Sequence, residues 1–254
     1  MSGSPAVATN DRKASIGEHV NVRTTAAWNQ EYTRQGIPSS HREEPSGVLV
    51  WALDNLRHLT DGPMSAAVDL GCGTGRNSAA MAATGITVSA IDLSDVAIAT
   101  ARNRYADADI DFRVGSVVEP LPFKTGSFQF AADIFVYFHQ LSDVDRRRYR
   151  REIHRVLEPG GLLLVSLATD GDGYYGSCEK MPNWRDISAV PLTWDPAAEV
   201  GNILPTYDEF LVEFSDMFDF QMSWRKRKFG DMHGKRYLRE TVAMLWQAVA
   251  RPAV

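Results

Sequence analysis

Three glycines, Gly71, Gly73 and Gly75, fall within five positions of the run VDLGCGTGRN, directly after an apolar stretch. Glycine costs roughly 0.5–1 kcal/mol relative to alanine inside regular structure, so such a cluster marks a tight turn or a place where something lies close against the backbone. A dinucleotide site asks for G-x-G-x-x-G, with the pyrophosphate on a helix N-terminus. Here the third glycine position is Arg76, and Gly75 stands one place early. Asp69, two residues before the first glycine, does nothing for a phosphate but suits a ligand carrying positive charge. Asp92 closes the next apolar segment, where a carboxylate can accept both hydroxyls of a ribose. Together these residues describe a site for a nucleoside with a cationic amino end and no phosphate.

Such a turn has to be held by strands and helices, and the surrounding text supplies them. AAVDL reads as a short buried strand, Arg76 to Thr84 as a helix closed by Gly85, and ITVSAIDL as a strand. SDVAIATARNRYA follows as a helix with a Ser or Asp cap, then IDFRVGS and FQFAADIFV as strands. SDVDRRRYRREIHRVL is a charged helix with Val144, Tyr149, Ile153 and Leu157 on its inner side, stopped by PGG, and LLLVSLA is an apolar strand. The alternation predicts an α/β fold, a doubly wound and mostly parallel sheet with helices on both faces. A helix and two strands from residue 206 onward complete seven strands with a C-terminal antiparallel hairpin. Residues 1–24 read as a flexible N-terminal arm. Residues 25–62 read as a helical cap: one helix ending at Gly36-Ile37-Pro38, and a second after Pro45-Ser46 with Val48, Val50, Leu53 and Leu56 on one side. Residues 63–254 form the sheet domain, interrupted over 169–203 by an insertion without a clean period.

The segments VDLGCGTG, VSAIDLS, VGSVVEPLPF, FQFAADIFVYFHQL and REIHRVLEPGGLLLVS, in this order and spacing, resemble those of the class I S-adenosylmethionine (SAM)-dependent methyltransferases over roughly residues 65–170. The resemblance implies a Rossmann-like fold, SAM as cofactor and S-adenosylhomocysteine (SAH) as product. It implies that the Gly71, Cys72 and Gly73 backbone runs against the methionyl part of SAM, with Asp69 near its amino group and Asn77 on the following helix. Asp92 would hold the ribose with Leu93 beside the adenine, and Ser116 and Val117 would line the adenine edge. Many members carry an acid where Ser116 stands; a hydroxyl pairs with the adenine amino group less strongly than an ionised acceptor. Asp133 ends the fourth strand on the rim where the methyl group should point, or else serves the backbone as a cap.

WNQEYTRQGIPSS resembles the opening of small-molecule methyltransferases similar to the thiopurine and tellurite-resistance enzymes, in which an N-terminal aromatic folds over the cofactor. Trp28 is then a lid residue on the cofactor and Tyr32 a substrate-side neighbour; alternatively Trp28, Tyr32 and Ile37 staple the extension to the sheet through their apolar area. Arg42 can pair with a substrate carboxylate, or with Glu43 or Glu44. His139 is the best-placed general base, being the side chain that titrates near neutrality, and Tyr137 is a catalytic candidate with core packing as the alternative. In DGDGYYGSCEKMPNW, Gly171, Gly173 and Gly176 offer hinges and Tyr174 and Tyr175 a flat surface for an acceptor, which reads as a substrate lid. No His or Cys spacing points to a metal.

A net charge of -5 gives no bulk attraction to nucleic acid or an anionic membrane. The stripe DRRRYRREIHR reads as a solvated helix face, broken by Asp143, Asp145 and Glu152. The two cysteines read as reduced thiols. The opening residues lack an apolar core of signal-peptide length, and GLLLVSLA is far short of the roughly 20 residues of a membrane span, so a cytoplasmic protein is expected. The expected activity is methyl transfer to a small-molecule acceptor in specialised metabolism or detoxification. RNA or protein is the alternative acceptor, and monomer and homodimer both stay open.

Overall fold

The computed structural model describes residues 25–34, 42–60 and 62–249; the expected arm and the Gly36-Ile37-Pro38 helix end lie outside them. Helix α1 covers residues 25–34. There follow α2 (Gly47–Leu56), β1 (Ala66–Leu70), α3 (Arg76–Ala82), β2 (Thr87–Asp92), α4 (Asp95–Arg104), β3 (Ile110–Val114), β4 (Phe128–Ile134), α5 (Asp143–Val156) and β5 (Leu157–Leu167). The insertion carries β6 (Glu179–Lys180), β7 (Leu192–Asp195) and β8 (Val200–Ile203), and the chain closes with α6 (Tyr207–Phe214), β9 (Phe218–Met232) and β10 (Lys235–Ala248).

The main sheet has the order β3-β2-β1-β4-β5-β10-β9. Strands β1 to β5 run parallel, and β10 is antiparallel to both β5 and β9. This is the doubly wound, seven-stranded arrangement that the alternation predicts. The central strands β1, β4 and β5 are buried on both faces, so they read as nearly continuous apolar runs, while β9 is largely exposed. Side chains alternate with period two. Val68, Leu70, Leu163, Val165, Met244 and Trp246 pack toward α5 and α6. Ala67, Leu162, Leu164, Ala243 and Leu245 pack toward α2 and α3. Strand order reverses between β1 and β4, so the connections from their carboxyl ends lead apart and open a crevice there.

Three local expectations are corrected. Val144 is 66% exposed; the inner face of α5 is Arg146, Tyr149, Arg150, Ile153 and Val156, which follow 3.6-residue spacing from a different start. Leu157 leaves the helix altogether and opens β5, pairing with Phe128 before the ladder shifts register. In α2 the buried stripe is Val48, Leu49, Ala52 and Leu56, with Val50 on the solvent side.

The insertion has more order than its composition predicts. It forms a second sheet, β6-β7-β8, pinned by two buried carboxylates. Asp172 accepts from the N–H groups of Tyr174, Tyr175 and Glu240 and from the Arg239 guanidinium. Asp195 accepts from the Tyr174 hydroxyl and from the N–H groups of Ala197 and Ala198. Gly171 and Gly173 are close-approach positions rather than hinges: a Cβ there would stand 2.6 Å from the Glu240 carboxylate and 2.9 Å from the Leu238 carbonyl.

The arginine stripe on α5 is only partly solvated. Arg146 and Arg150 are buried and both donate to the Glu213 carboxylate on α6, at 3.1 and 2.6 Å. Tyr137 donates its hydroxyl to the same oxygen. Although burial opposes it, Arg146, the Tyr137 hydroxyl and Arg150 hold the Glu213 carboxyl below its ordinary range. Removing one member of a buried ion group leaves the others uncompensated, at about 3–5 kcal/mol. Glu213→Ala is therefore expected to lower the thermal midpoint by about 10 °C, read by calorimetry at pH 7. A drop of only a degree or two would show that Asp143 and Asp216, which also contact these arginines, carry the pair.

Candidate functional site

The glycine turn leaves the carboxyl end of β1, where Gly71 and Gly73 both have positive φ. Space is as limiting as conformation. A Cβ on Gly71 would collide with Val136, and one on Gly73 would stand 2.7 Å from the Tyr32 hydroxyl. Asp92 accepts from the Gly73 N–H through Oδ2 and from the Ser94 N–H through Oδ1, each at 2.8 Å. Burial raises its pKa, and the two N–H donors oppose the rise. A carboxylate oxygen has two lone pairs, so each still has one to offer a hydroxyl. Asp69 accepts from Ser78 Oγ at 2.6 Å. Burial lifts its carboxyl to about 6 against that hydrogen bond.

Of the other residues expected at the cofactor, Leu93 and Ser116 are half-buried and Val117 is buried. Ser116 Oγ accepts from the Val118 N–H at 3.3 Å. Cys72 is buried, which pushes its thiol up. Asn77 turns toward the cap, its Oδ1 accepting from the Ser46 N–H at the start of α2.

Helix α1 lies across this crevice. At one end Asn29 accepts from Ser94 Oγ at 2.6 Å and donates to Asp95 at 2.8 Å. Tyr32, expected beside the substrate, instead stands over Gly73; burial and the nearby Asp92 push its phenol up. Trp28, expected over the cofactor, packs edge-on against His139 with ring centroids 4.8 Å apart. The His139 Nδ1 lies 3.2 Å from the Gly201 carbonyl of β8. A carbonyl can only accept, so Nδ1 carries the proton and Nε2 keeps its lone pair. Burial lowers the ring to about 4, against the Gly201 carbonyl.

Two catalytic candidates sit inside the fold. Asp133 is fully buried and accepts from the Val136 and Tyr137 N–H groups and from the Tyr149 hydroxyl. Burial raises it to about 7 while these donors hold it down. Tyr137 points into the Arg146–Arg150–Glu213 network between α5 and α6. Tyr174 and Tyr175 are buried, Tyr174 on Asp195 and Tyr175 edge-on to Phe138. Arg42 is exposed and lies near Arg76; Glu43 pairs with Arg104 instead, and the Glu44 carbonyl accepts from Arg76. Asn29, Ser78 and Gly201, which hold these groups, carry no signal of their own in the sequence, because each acts through a partner brought in by the fold.

Residues 67–161 match the methyltransferase-domain family. An O-methyltransferase of Pyrenophora dematioidea is 30% identical over 144 residues, covering 55% of this chain and 52% of that protein. A ubiquinone biosynthesis O-methyltransferase of Xanthomonas oryzae pv. oryzae is 36% identical over 102 residues, 39% of this chain and 41% of that protein. The chain thus spans about half the length of the curated relatives it matches. Among solved structures, the 1,6-didemethyltoxoflavin-N1-methyltransferase of Burkholderia thailandensis, solved with 1,6-didemethyltoxoflavin and S-adenosylhomocysteine, superposes over 98% of this chain and 94% of its own, with a TM-score of 0.63 at 17% identity. Residues 67–161 thus carry a methyltransferase domain, and the chain around them has the fold of the class I SAM-dependent methyltransferases.

The residues fit that cofactor: bare backbone at Gly71 and Gly73, a buried carboxylate at each end of the turn, and no third glycine for a pyrophosphate. Were the SAH ammonium group to lie beside Asp69, it would require the anion, and SAH binding would tighten as pH rises to about 6 and level off above it. Below that value the dissociation constant should weaken by up to about tenfold per pH unit. Titration calorimetry between pH 5 and 8 checks this, and Asp69→Asn should flatten the profile. An unchanged slope in that variant would move the proton to another group.

Proposed function

We propose that the protein transfers the methyl group of SAM to a hydroxyl or amino group of a small-molecule acceptor. The observation that carries this reading is the exposed-backbone turn at Gly71 and Gly73 flanked by the buried Asp69 and Asp92 carboxylates. When bound, the cofactor supplies a sulfonium methyl with a good leaving group. Asp92 holds the ribose and Asp69 the amino group, while Leu93, Ser116 and Val117 border the adenine. Residues 25–62 act as a cap, with Tyr32 yielding the space above Gly73 to the methionyl chain. His139 accepts the acceptor's proton at Nε2. A weak base suffices, since an oxygen or nitrogen under methyl attack becomes a strong acid. Orientation supplies much of the rest of the rate.

Asp133 and Tyr137 serve here as positioning residues for the turn that carries His139. The small-molecule reading draws support from the curated O-methyltransferase relatives, and from the burial of Arg146 and Arg150, which takes two cations out of any phosphate-binding stripe. Among the described residues, no helix is long and apolar enough to cross a membrane. A cytoplasmic location belongs to the same reading, in keeping with two free cysteines.

Thermal unfolding with SAM, SAH and NADH separately tests the cofactor. At about 100 times its dissociation constant a ligand adds about 2.7 kcal/mol, a rise of roughly 5–10 °C for a chain of this size. SAM and SAH should give that rise, and Asp92→Ala should abolish it. A rise with NADH alone would overturn the reading. His139→Phe keeps the ring packing and removes the lone pair. Transfer of labelled methyl to a panel of phenols should then slow about 10²–10⁴-fold with SAH binding unchanged. An unaffected rate would leave water as the proton acceptor.

A further inference from the structure

Strands β7 and β8 place Thr193 directly opposite Asn202, so the two side chains leave the same face of the small sheet. Asn202 has 0% and Thr193 1% of its surface exposed. Neither the Oδ1 nor the Nδ2 of Asn202, nor the Oγ1 of Thr193, has a hydrogen-bond partner. Three unmet polar atoms in one cross-strand pair stand apart from the rest of the insertion. There Asp172 and Asp195 each collect three or more donors, and Ser188 Oγ meets the Val190 carbonyl. Buried amides and hydroxyls left without partners oppose folding, so a chain that keeps them together on one face has them for a ligand.

The place of this pair ties it to the reaction. The carbonyl of Gly201, next in sequence to Asn202, fixes the His139 ring, so β8 carries both the base's anchor and the unmet amide. Trp28 of α1 covers the ring from another side, and one turn along the same helix Tyr32 stands over the glycine turn. Cofactor turn and base therefore lie under a single helix, and the unmet amide is on the strand that anchors the base. We propose that Asn202 and Thr193 are the subsite that reads the methyl acceptor, and that they read a neutral amide-like edge, an N–H donor beside a C=O acceptor, as in a lactam. The proposal rests on the methyltransferase reading above.

The chemistry favours that edge over its rivals. An asparagine amide presents a donor and an acceptor side by side, which a lactam complements with both groups, while the threonine hydroxyl can take either role. On β7 and β8 the charged side chain is the Asp195 carboxylate, and the cation across from Thr193, Lys180 of β6, is exposed rather than buried with the pair, so a carboxylate or phosphate would be poorly met. An apolar edge would leave all three atoms unmet. Sites built to hydrogen-bond a substrate reject analogues that lack the matching group far more strongly than apolar pockets reject a missing methylene.

Calorimetric titration of the full chain saturated with SAH tests this, using 7-hydroxy-2-quinolone, which carries a lactam opposite a phenol, and 2-naphthol, of similar outline without the lactam. The wild type is expected to bind the quinolone about tenfold or more tightly than the naphthol. Asn202→Leu, close in shape, should erase the preference while SAH affinity stays within about twofold and the thermal midpoint holds or rises. Thr193→Val should reduce the preference in the same direction and keeps the test open should the leucine variant fold poorly. A wild type that binds both probes alike, or neither, overturns the subsite. So does a preference that survives both substitutions, or a loss of SAH binding and midpoint in both variants, which marks the pair as structural. Failure of SAH itself to bind the wild type would instead bring down the methyltransferase reading beneath it.

Discussion

The Asp92 carboxylate ties together parts of the chain that would otherwise be independent. Its Oδ2 takes the Gly73 N–H and its Oδ1 the Ser94 N–H, so one side chain at the end of β2 fixes both the turn after β1 and the start of α4. Ser94 continues the connection. Its hydroxyl accepts from the Ala97 N–H as the helix cap and donates to Asn29 of α1. Buried polar groups that are fully partnered specify a single arrangement, because any other leaves a donor or an ion exposed to a low dielectric. The glycine turn can therefore stay bare without losing its shape, since its geometry is set from outside by a carboxylate rather than by side chains of its own.

The two segments that read as lids differ in how they are held. The insertion over 169–203 is fixed by Asp172 and Asp195, whose donors come from three separate stretches including β10. Opening it would strip two buried carboxylates of their partners. Helix α1 is held by the Asn29 pair, by Tyr32 over Gly73 and by the Trp28 contact with His139, several of these at the surface. Segments that admit ligands are drawn from the less stable end of a structure. The contrast makes α1 the more easily displaced of the two and the insertion the more rigid.

Much of the sheet was legible because its central strands are buried on both faces and three of the four crossovers between parallel strands carry a helix. The glycine turn, Asp69 and Asp92 were legible because spacing alone specifies them. What was hidden depends on contacts between distant segments. Val144 looked like a core residue because apolar type, not phase, was read; the phase of α5 is set by Arg146 and Arg150, which are buried only because Glu213 arrives from α6. Tyr32 and Trp28 appear in the expected helix but over each other's expected neighbours, since one turn of helix carries Trp28 past the cofactor turn to His139. The small sheet in the insertion escaped notice because its strands are two to four residues long, too short to show a period.

Asp69 and Asp133 end neighbouring parallel strands, one residue apart in register, and both are buried acids with raised pKa values. Their partners separate their roles. Asp133 receives the Val136 and Tyr137 N–H groups of the segment that bends into the turn bearing His139, and the Tyr149 hydroxyl from α5. A charge so surrounded has no direction left in which to meet a ligand. Asp69 meets the Ser78 side chain from α3 and opens toward the turn it precedes. It gains less from the protein's own donors, so a cation arriving at the turn has more to offer it. The acid that the fold leaves less satisfied is the one placed to bind, and the same rule, applied to a neutral side chain in the insertion, singles out Asn202.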